Sequence, residues 1–230
     1  MQQNLKILFI GFSLAIFAVT TGCGTSGGYS DPNNHNGKDP CKGVVEGYPC
    51  SPYGHDLNDT VLNMTFYKPP YGDEDKVTLS DYVKDKEKKN ADKIFLVSSF
   101  ARWCSACMQE SPQLYDLFKQ FKDRGVVLLM TMNDGGETPG TGYAQKDIIT
   151  GAKWWLENIL PEEAKSDPDF LGVLGDFDHY MDSFYDVSAT PLNMILSPRF
   201  TILYKRTGWD GEEKIANLLD TIIKVELENQ

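Results

Sequence analysis

The sequence predicts an α/β fold, a central mixed sheet flanked by helices with an N-terminal β-hairpin extension. Three observations predict it. Two continuous apolar runs, KIFLVSSF at 93–100 and VVLLMTMN at 126–133, are separated by a segment of helical period. That order makes them buried parallel strands joined by a right-handed crossover. Two further stretches, LNMILS and TILYKRTGW, stand close enough together to form a hairpin. The chain then ends on GEEKIANLLDTIIKVE, where Ile215, Leu218, Leu219 and Ile222 share one side of a helix.

A chain of 230 residues, 41% of them hydrophobic, suits one domain with a substantial core plus an appendage. A formal net charge of -11 repels a phosphate backbone, and no basic cluster offsets it. Nucleic acid is therefore excluded as a partner.

At the N-terminus, Lys6 precedes ILFIGFSLAIFAVTTG, and small residues lead to Cys23. Charge, a short apolar core and a small-residue cleavage site make a secretory signal over 1–22. Its ending, TTGC, resembles a bacterial lipoprotein signal, which implies acylation of Cys23 and anchoring to a bacterial membrane, facing the periplasm or cell exterior. Thr20 stands where an aliphatic residue is usual, and the alternatives are an ordinary signal peptide or an uncleaved anchor. Residues 23–40 have too few apolar side chains to offset the ordering of the backbone, so they form a flexible tether containing His35. The folded domain spans 41–226 and begins with an entry loop over 41–56.

The five cysteines are Cys23, Cys41, Cys50, Cys104 and Cys107. Without the acylated one an even set remains, which in an oxidising compartment is read as pairs. Cys41 and Cys50 lie among Gly and Pro, as a local disulfide closing a short loop. After them, LNDTVLNMTFYKP and KVTLSDYV flank the turn signal PYGDED. They give a two-stranded element and a short helix near Ser80 to Lys86. KIFLVSSF follows as the central strand.

The helix after it carries Met108, Leu114, Leu117, Phe118 and Phe121 at helical spacing, with Gly125 as its stop and Pro112 as an expected kink. VVLLMTMN comes next, then DGGETPGTG, which lacks the Lys-Ser/Thr ending of a phosphate cradle and is expected to be a flexible loop. AQKDIITGAKWWLENIL is a second helix with Ile148, Ile149, Ala152, Trp155 and Ile159 on one side. FLGVLGD is a short strand and FDHYMDSFYD a short helix. Trp154, Trp155, Tyr180, Phe184 and Tyr185 are expected in the core. His55 and His179 have no second histidine or paired carboxylate near them in sequence, so neither a metal site nor a cofactor is expected.

Chemistry concentrates at RWCSACMQESP. Cys104 falls at the carboxyl end of the central strand, where α/β sheets place reactive groups. A thiol at a helix N-terminus meets unpaired backbone N–H groups and the positive end of the macrodipole. Both lower its pKa below the free value of about 8.5. Cys107 is one turn on, at about 5–6 Å between Cβ atoms, so the pair can open and close as a disulfide. Cys104 is the candidate attacking sulfur and Cys107 the resolving one. Later, in VSATPLNMIL, Thr190 and Pro191 stand directly before an apolar strand.

On these motifs the chain resembles the thioredoxin superfamily. CSACMQESP fits the C-x-x-C-x-x-E-x-P pattern of TlpA-like periplasmic thiol–disulfide reductases. HDLNDTVLNMTF with VTLSDY is similar to that family's entry hairpin, and FYDVSATPLNMILSPRFTILYKRTGW to its proline loop and final hairpin. The resemblance covers Gly54 to Ile223. It implies a thioredoxin-like fold and a cis proline at Pro191 facing the cysteines. It also implies that Trp103, Thr190 and Pro191 contact an extended thiol-bearing peptide by strand addition. As a membrane-tethered reductase, such a protein draws electrons from a membrane thiol-electron donor and passes them to protein thiol/disulfide substrates. Thioredoxin buries an aspartate six residues before its first cysteine; here that place is Ser98. Glu110 is the candidate assistant in proton transfer, the alternative being an exposed helix carboxylate. Ser105-Ala106, between the cysteines, is neither Gly-Pro nor Pro-His.

Two other functions use the same thiols. A Cu(I) or Zn module would use them as soft ligands, although Cys41-x8-Cys50 lacks short zinc-knuckle spacing. A thiol peroxidase needs a Pro and a Ser or Thr shortly before the reactive cysteine, where Ala101-Arg102-Trp103 stands instead.

Overall fold

The structure is a computed structural model and describes residues 41, 43–83, 92–185 and 189–228. The expected signal, the tether with Cys23 and His35, residues 84–91 with the end of the helix expected near Ser80 to Lys86, and residues 186–188 of the proline loop lie outside the described residues.

Seven strands form one mixed sheet: β1 (Thr65–Tyr67), β2 (Lys76–Thr78), β3 (Ile94–Ala101), β4 (Val126–Asp134), β5 (Val173–Gly175), β6 (Leu192–Leu196) and β7 (Ile202–Thr207). Their order is β2-β1-β5-β4-β3-β6-β7. β3, β4 and β5 run parallel, while β1, β6 and β7 pair antiparallel. The apolar run 93–100 thus lies deep in the sheet, and all eight residues of β3 are buried.

Three helices follow: α1 (Ser105–Phe121), α2 (Gln145–Asn158) and α3 (Glu212–Ile223). The β3–α1–β4 and β4–α2–β5 crossovers move outward in the same direction, so one handedness puts both helices on one face. Leu114, Leu117 and Phe118 of α1, Ile148, Ala152 and Trp155 of α2, and Ile215 and Leu219 of α3 share a core cluster there. That face takes Ile94, Leu96 and Phe100 from β3, and the alternate residues Phe95 and Val97 point to the other. The second face is closed by Tyr48, Val61, Met64, Met181 and Phe184 rather than by a long helix.

The two-stranded N-terminal element is present but short, three residues in each strand. Val61 and Met64 pack into the core without joining it, and Val61 N–H donates to the Phe200 carbonyl at 2.9 Å. The helix expected from Ser80 is a 3-10 turn over Leu79–Tyr82. α1 runs through Pro112, and Gly125 at φ 91° ends the turn that follows the helix. Trp155 and Phe184 are core as expected, whereas Trp154, Tyr180 and Tyr185 are half-buried and pack against it. Cys41 and Cys50 form a disulfide with Cα atoms 4.7 Å apart. The loop is anchored by Tyr48, whose hydroxyl donates towards the Val61 and Leu62 carbonyls at 3.1 Å and whose ring stacks on Phe200. Among the described residues no helix is long and apolar enough to cross a membrane.

Candidate functional site

β3 ends at Ala101, and three residues later Cys104 occupies the N-cap of α1. Its sulfur accepts the backbone N–H of Cys107 at 3.1 Å, the type of orphan donor a helix start leaves free. The sulfurs of Cys104 and Cys107 are joined, with Cα atoms 5.3 Å apart, and the two residues are only 4% and 1% exposed. The Thr190–Pro191 peptide is cis. Thr190 lies against both sulfurs: its carbonyl oxygen is 3.6 Å from Cys104 Sγ, and its hydroxyl is 3.6 Å from Cys107 Sγ. The hydroxyls of Thr190 and Tyr185 both donate to the Ser99 carbonyl, at 3.3 and 3.1 Å. Residues 86 and 91 positions apart in sequence are thereby held on the strand that leads to Cys104.

The same helix carries a buried carboxyl. Glu110 is one turn beyond Cys107 and 2% exposed, which corrects the alternative of an exposed helix carboxylate. Ser98 faces α1 from β3, and its hydroxyl donates to Glu110 Oε1 at 3.4 Å. Asn193 lies directly across the strand pair from Ser98. Among the described residues, Glu110 Oε2 and Asn193 Oδ1 have no hydrogen-bond partner. Burial pushes the Glu110 carboxyl up from 4.5 to about 7, against the smaller opposing pull of Asn193 and Ser98. The helix therefore delivers a carboxyl to the neighbourhood of Ser98, where no strand residue supplies one.

Asp134, at the end of β4, belongs to no motif that marks it in the sequence. Its Oδ2 accepts the Trp103 indole N–H and the Gly140 N–H, each at 2.8 Å, and its Oδ1 accepts the Gly136 N–H at 3.0 Å. The loop expected to be flexible is consequently organised around one carboxylate, which also fixes the ring next to Cys104. A Cβ at Gly142 would overlap the Gly136 backbone nitrogen, so this fold of the loop requires glycine there. The available signal was position: Asp134 closes the strand beside β3 at the same carboxyl end. Asp176, fully buried after β5, accepts the N–H groups of Tyr180 and Met181 at 3.0 and 2.9 Å, and burial pushes it up to about 6. Among the described residues, no three His, Cys, Asp or Glu side chains converge as a metal site.

No protein family matches the chain by sequence, and no curated protein does. Solved structures do match it in shape. The C-terminal domain of a Bacteroides thetaiotaomicron protein assigned as a thiol-disulfide oxidoreductase is 16% identical, with a TM-score of 0.52 over 74% of this chain and 98% of that one. A Chlorobium tepidum protein assigned as the thiol:disulfide interchange protein DsbE is 16% identical, with a TM-score of 0.50 over 74% and 99%. The pneumococcal exposed lipoprotein thioredoxin Etrx1 of Streptococcus pneumoniae is 17% identical, with a TM-score of 0.50 over 70% and 99%. The class is thus settled at the level of architecture: this is a thioredoxin-like fold, as the motif resemblance implied. Within it, the chain carries a C-x-x-C disulfide against a cis-proline loop.

Proposed function

We propose that the chain is a thiol–disulfide oxidoreductase that reduces disulfides of exported proteins while tethered to a bacterial membrane through acylated Cys23. One observation carries this reading: a bonded Cys104–Cys107 pair, capped by a helix N-terminus, lies against the cis Thr190–Pro191 peptide. In the reduced protein the Cys104 thiolate attacks one sulfur of a substrate disulfide. That S–S bond breaks, the other substrate sulfur leaves as a thiolate, and a mixed disulfide forms.

Cys107 then loses its proton towards Glu110, directly or through water, and attacks the Cys104 sulfur. The second substrate thiolate leaves, two electrons have passed to the substrate, and the Cys104–Cys107 disulfide remains. A carboxyl with a pKa of about 7 takes and returns a proton near neutral pH with little bias either way. The peptide backbone at Thr190 and the ring of Trp103 hold the extended substrate beside the sulfurs. Return to the dithiol takes two electrons from a membrane thiol-electron donor. Residues 1–22 act as the lipoprotein signal, 23–40 as the tether and 41–226 as the working domain.

Insulin reduction by the wild type, Cys104→Ser and Cys107→Ser tests the reading. Both variants are expected to lose at least 100-fold in rate, because exchange needs both sulfurs. Cys107→Ser is also expected to trap mixed disulfides with its substrates. Undiminished turnover in both variants contradicts the proposal.

A further inference from the structure

A cavity of about 300 Å³ opens beside the cysteines, sharing Trp103 and Thr190 with the exchange site. That volume is at the lower end for small-ligand pockets and suits one long side chain. Its other walls include the rings of Tyr143 and Tyr185 and the carboxyl groups of Asp134 and Asp182. Among the described residues, no lysine or arginine lines it. The neighbouring cation, Arg102, is engaged elsewhere, 3.0 Å from Glu137 and over the Trp154 ring.

The two carboxylates differ in what they have to offer. Asp134 is 2% exposed and already accepts three N–H donors. Asp182 has a half-exposed side chain; its Oδ1 accepts one N–H of Asn133 at 3.2 Å, and the nearest cation candidate, His179 Nδ1, is 3.7 Å from Oδ2. Asn133 is itself only 9% exposed, and its side-chain carbonyl oxygen has no hydrogen-bond partner among the described residues. The cavity therefore presents acceptors, negative charge and aromatic faces, with no lysine or arginine among its described lining residues to answer them.

Arginine matches that lining. Its stem lies along aromatic rings, its planar guanidinium stacks on them, and its fork of donors suits a carboxylate. We infer that this cavity receives an arginine side chain of the substrate, adjacent to the cysteine that Cys104 attacks. Asp182 supplies the charge, and Tyr143 and Trp103 supply the faces. This rests on the exchange reading above and adds a sequence preference to it.

The test uses the oxidised full chain, 15N-labelled, with the Trp103 indole N–H followed by NMR. The titrants are short peptides that carry serine in place of the target cysteine and differ only in Arg, Ala or Glu beside it. The Arg peptide is expected to bind about tenfold tighter than the Ala peptide, and the Glu peptide weakest. The preference is expected to shrink at high salt and to disappear in Asp182→Asn. Tyr143→Ala, at an exposed position, is expected to weaken the preference as well. Equal binding of the Arg and Ala peptides, or no binding of either, overturns the inference. Because no thiol takes part, failure here is distinct from failure of the exchange mechanism, which the cysteine variants read separately.

Discussion

Glu110 gives the site a pH signature. Its folded pKa, about 7, lies above its ordinary 4.5, so the folded protein holds that proton more tightly than the unfolded chain. The resulting stability is full below about 4.5 and is lost as pH rises through about 7. Asp176, raised to about 6, acts in the same sense. Glu110→Gln is expected to retain up to about 3 kcal/mol more stability than the wild type at pH 8, relative to pH 5, in chemical unfolding of the oxidised protein. Stability that falls equally in both proteins sinks this account of the carboxyl. The same variant is expected to slow resolution of the mixed disulfide about 10- to 100-fold near pH 7 while sparing its formation, which stopped-flow fluorescence separates. Cys104, Cys107 and Pro191 were legible because a short motif and the end of an apolar run mark them. Glu110's burial and the work of Asp134 were not, since both depend on partners 12 and 31 residues away.

Among the elements, the entry loop is the simplest to test. The Cys41–Cys50 link closes a nine-residue separation, and in the chain-entropy model it stabilises by about 2–3 kcal/mol. Replacing both cysteines by serine is expected to lower unfolding stability by about that amount while insulin reduction continues. Loss of reduction in a folded double variant contradicts a purely structural role. Tyr48→Phe, which removes the buried hydroxyl but keeps the ring on Phe200, is expected to cost about 1 kcal/mol. The periods of the apolar runs located the parallel strands and the three helices. Strand limits were less legible. LNDTVLNMTFYKP reads as a long strand, yet only Thr65–Tyr67 pairs with β2, because Val61 and Met64 spend their apolar surface on covering the second face. Alternation reports burial and does not name the partner.

At the scale of the whole molecule, the proposed exchange is built on the sheet. The helix start and the proline loop that meet at the disulfide are both tied to β3, the Cys104 N–H donating to the Ala101 carbonyl at 3.0 Å and the Thr190 hydroxyl to the Ser99 carbonyl at 3.3 Å. The proposed anchor belongs to the same scale. Labelling cells with a radioactive fatty acid is expected to mark the wild type and leave Cys23→Ser unmarked and released from the membrane fraction. A labelled variant removes the lipoprotein assignment. The proposed signal rests on local features alone, charge, apolar length and small residues. The arrangement at the sulfurs was not legible, because the chain brings Thr190 to them from 83 residues beyond Cys107.

The central claim is that a helix start holds the first sulfur as a thiolate ready to react. The direct measurement is the pH dependence of alkylation of reduced Cys104 by iodoacetamide, in a variant with Cys107→Ser. The expected rate profile rises with a midpoint well below the roughly 8.5 of a free thiol. A midpoint at or above that value contradicts the account.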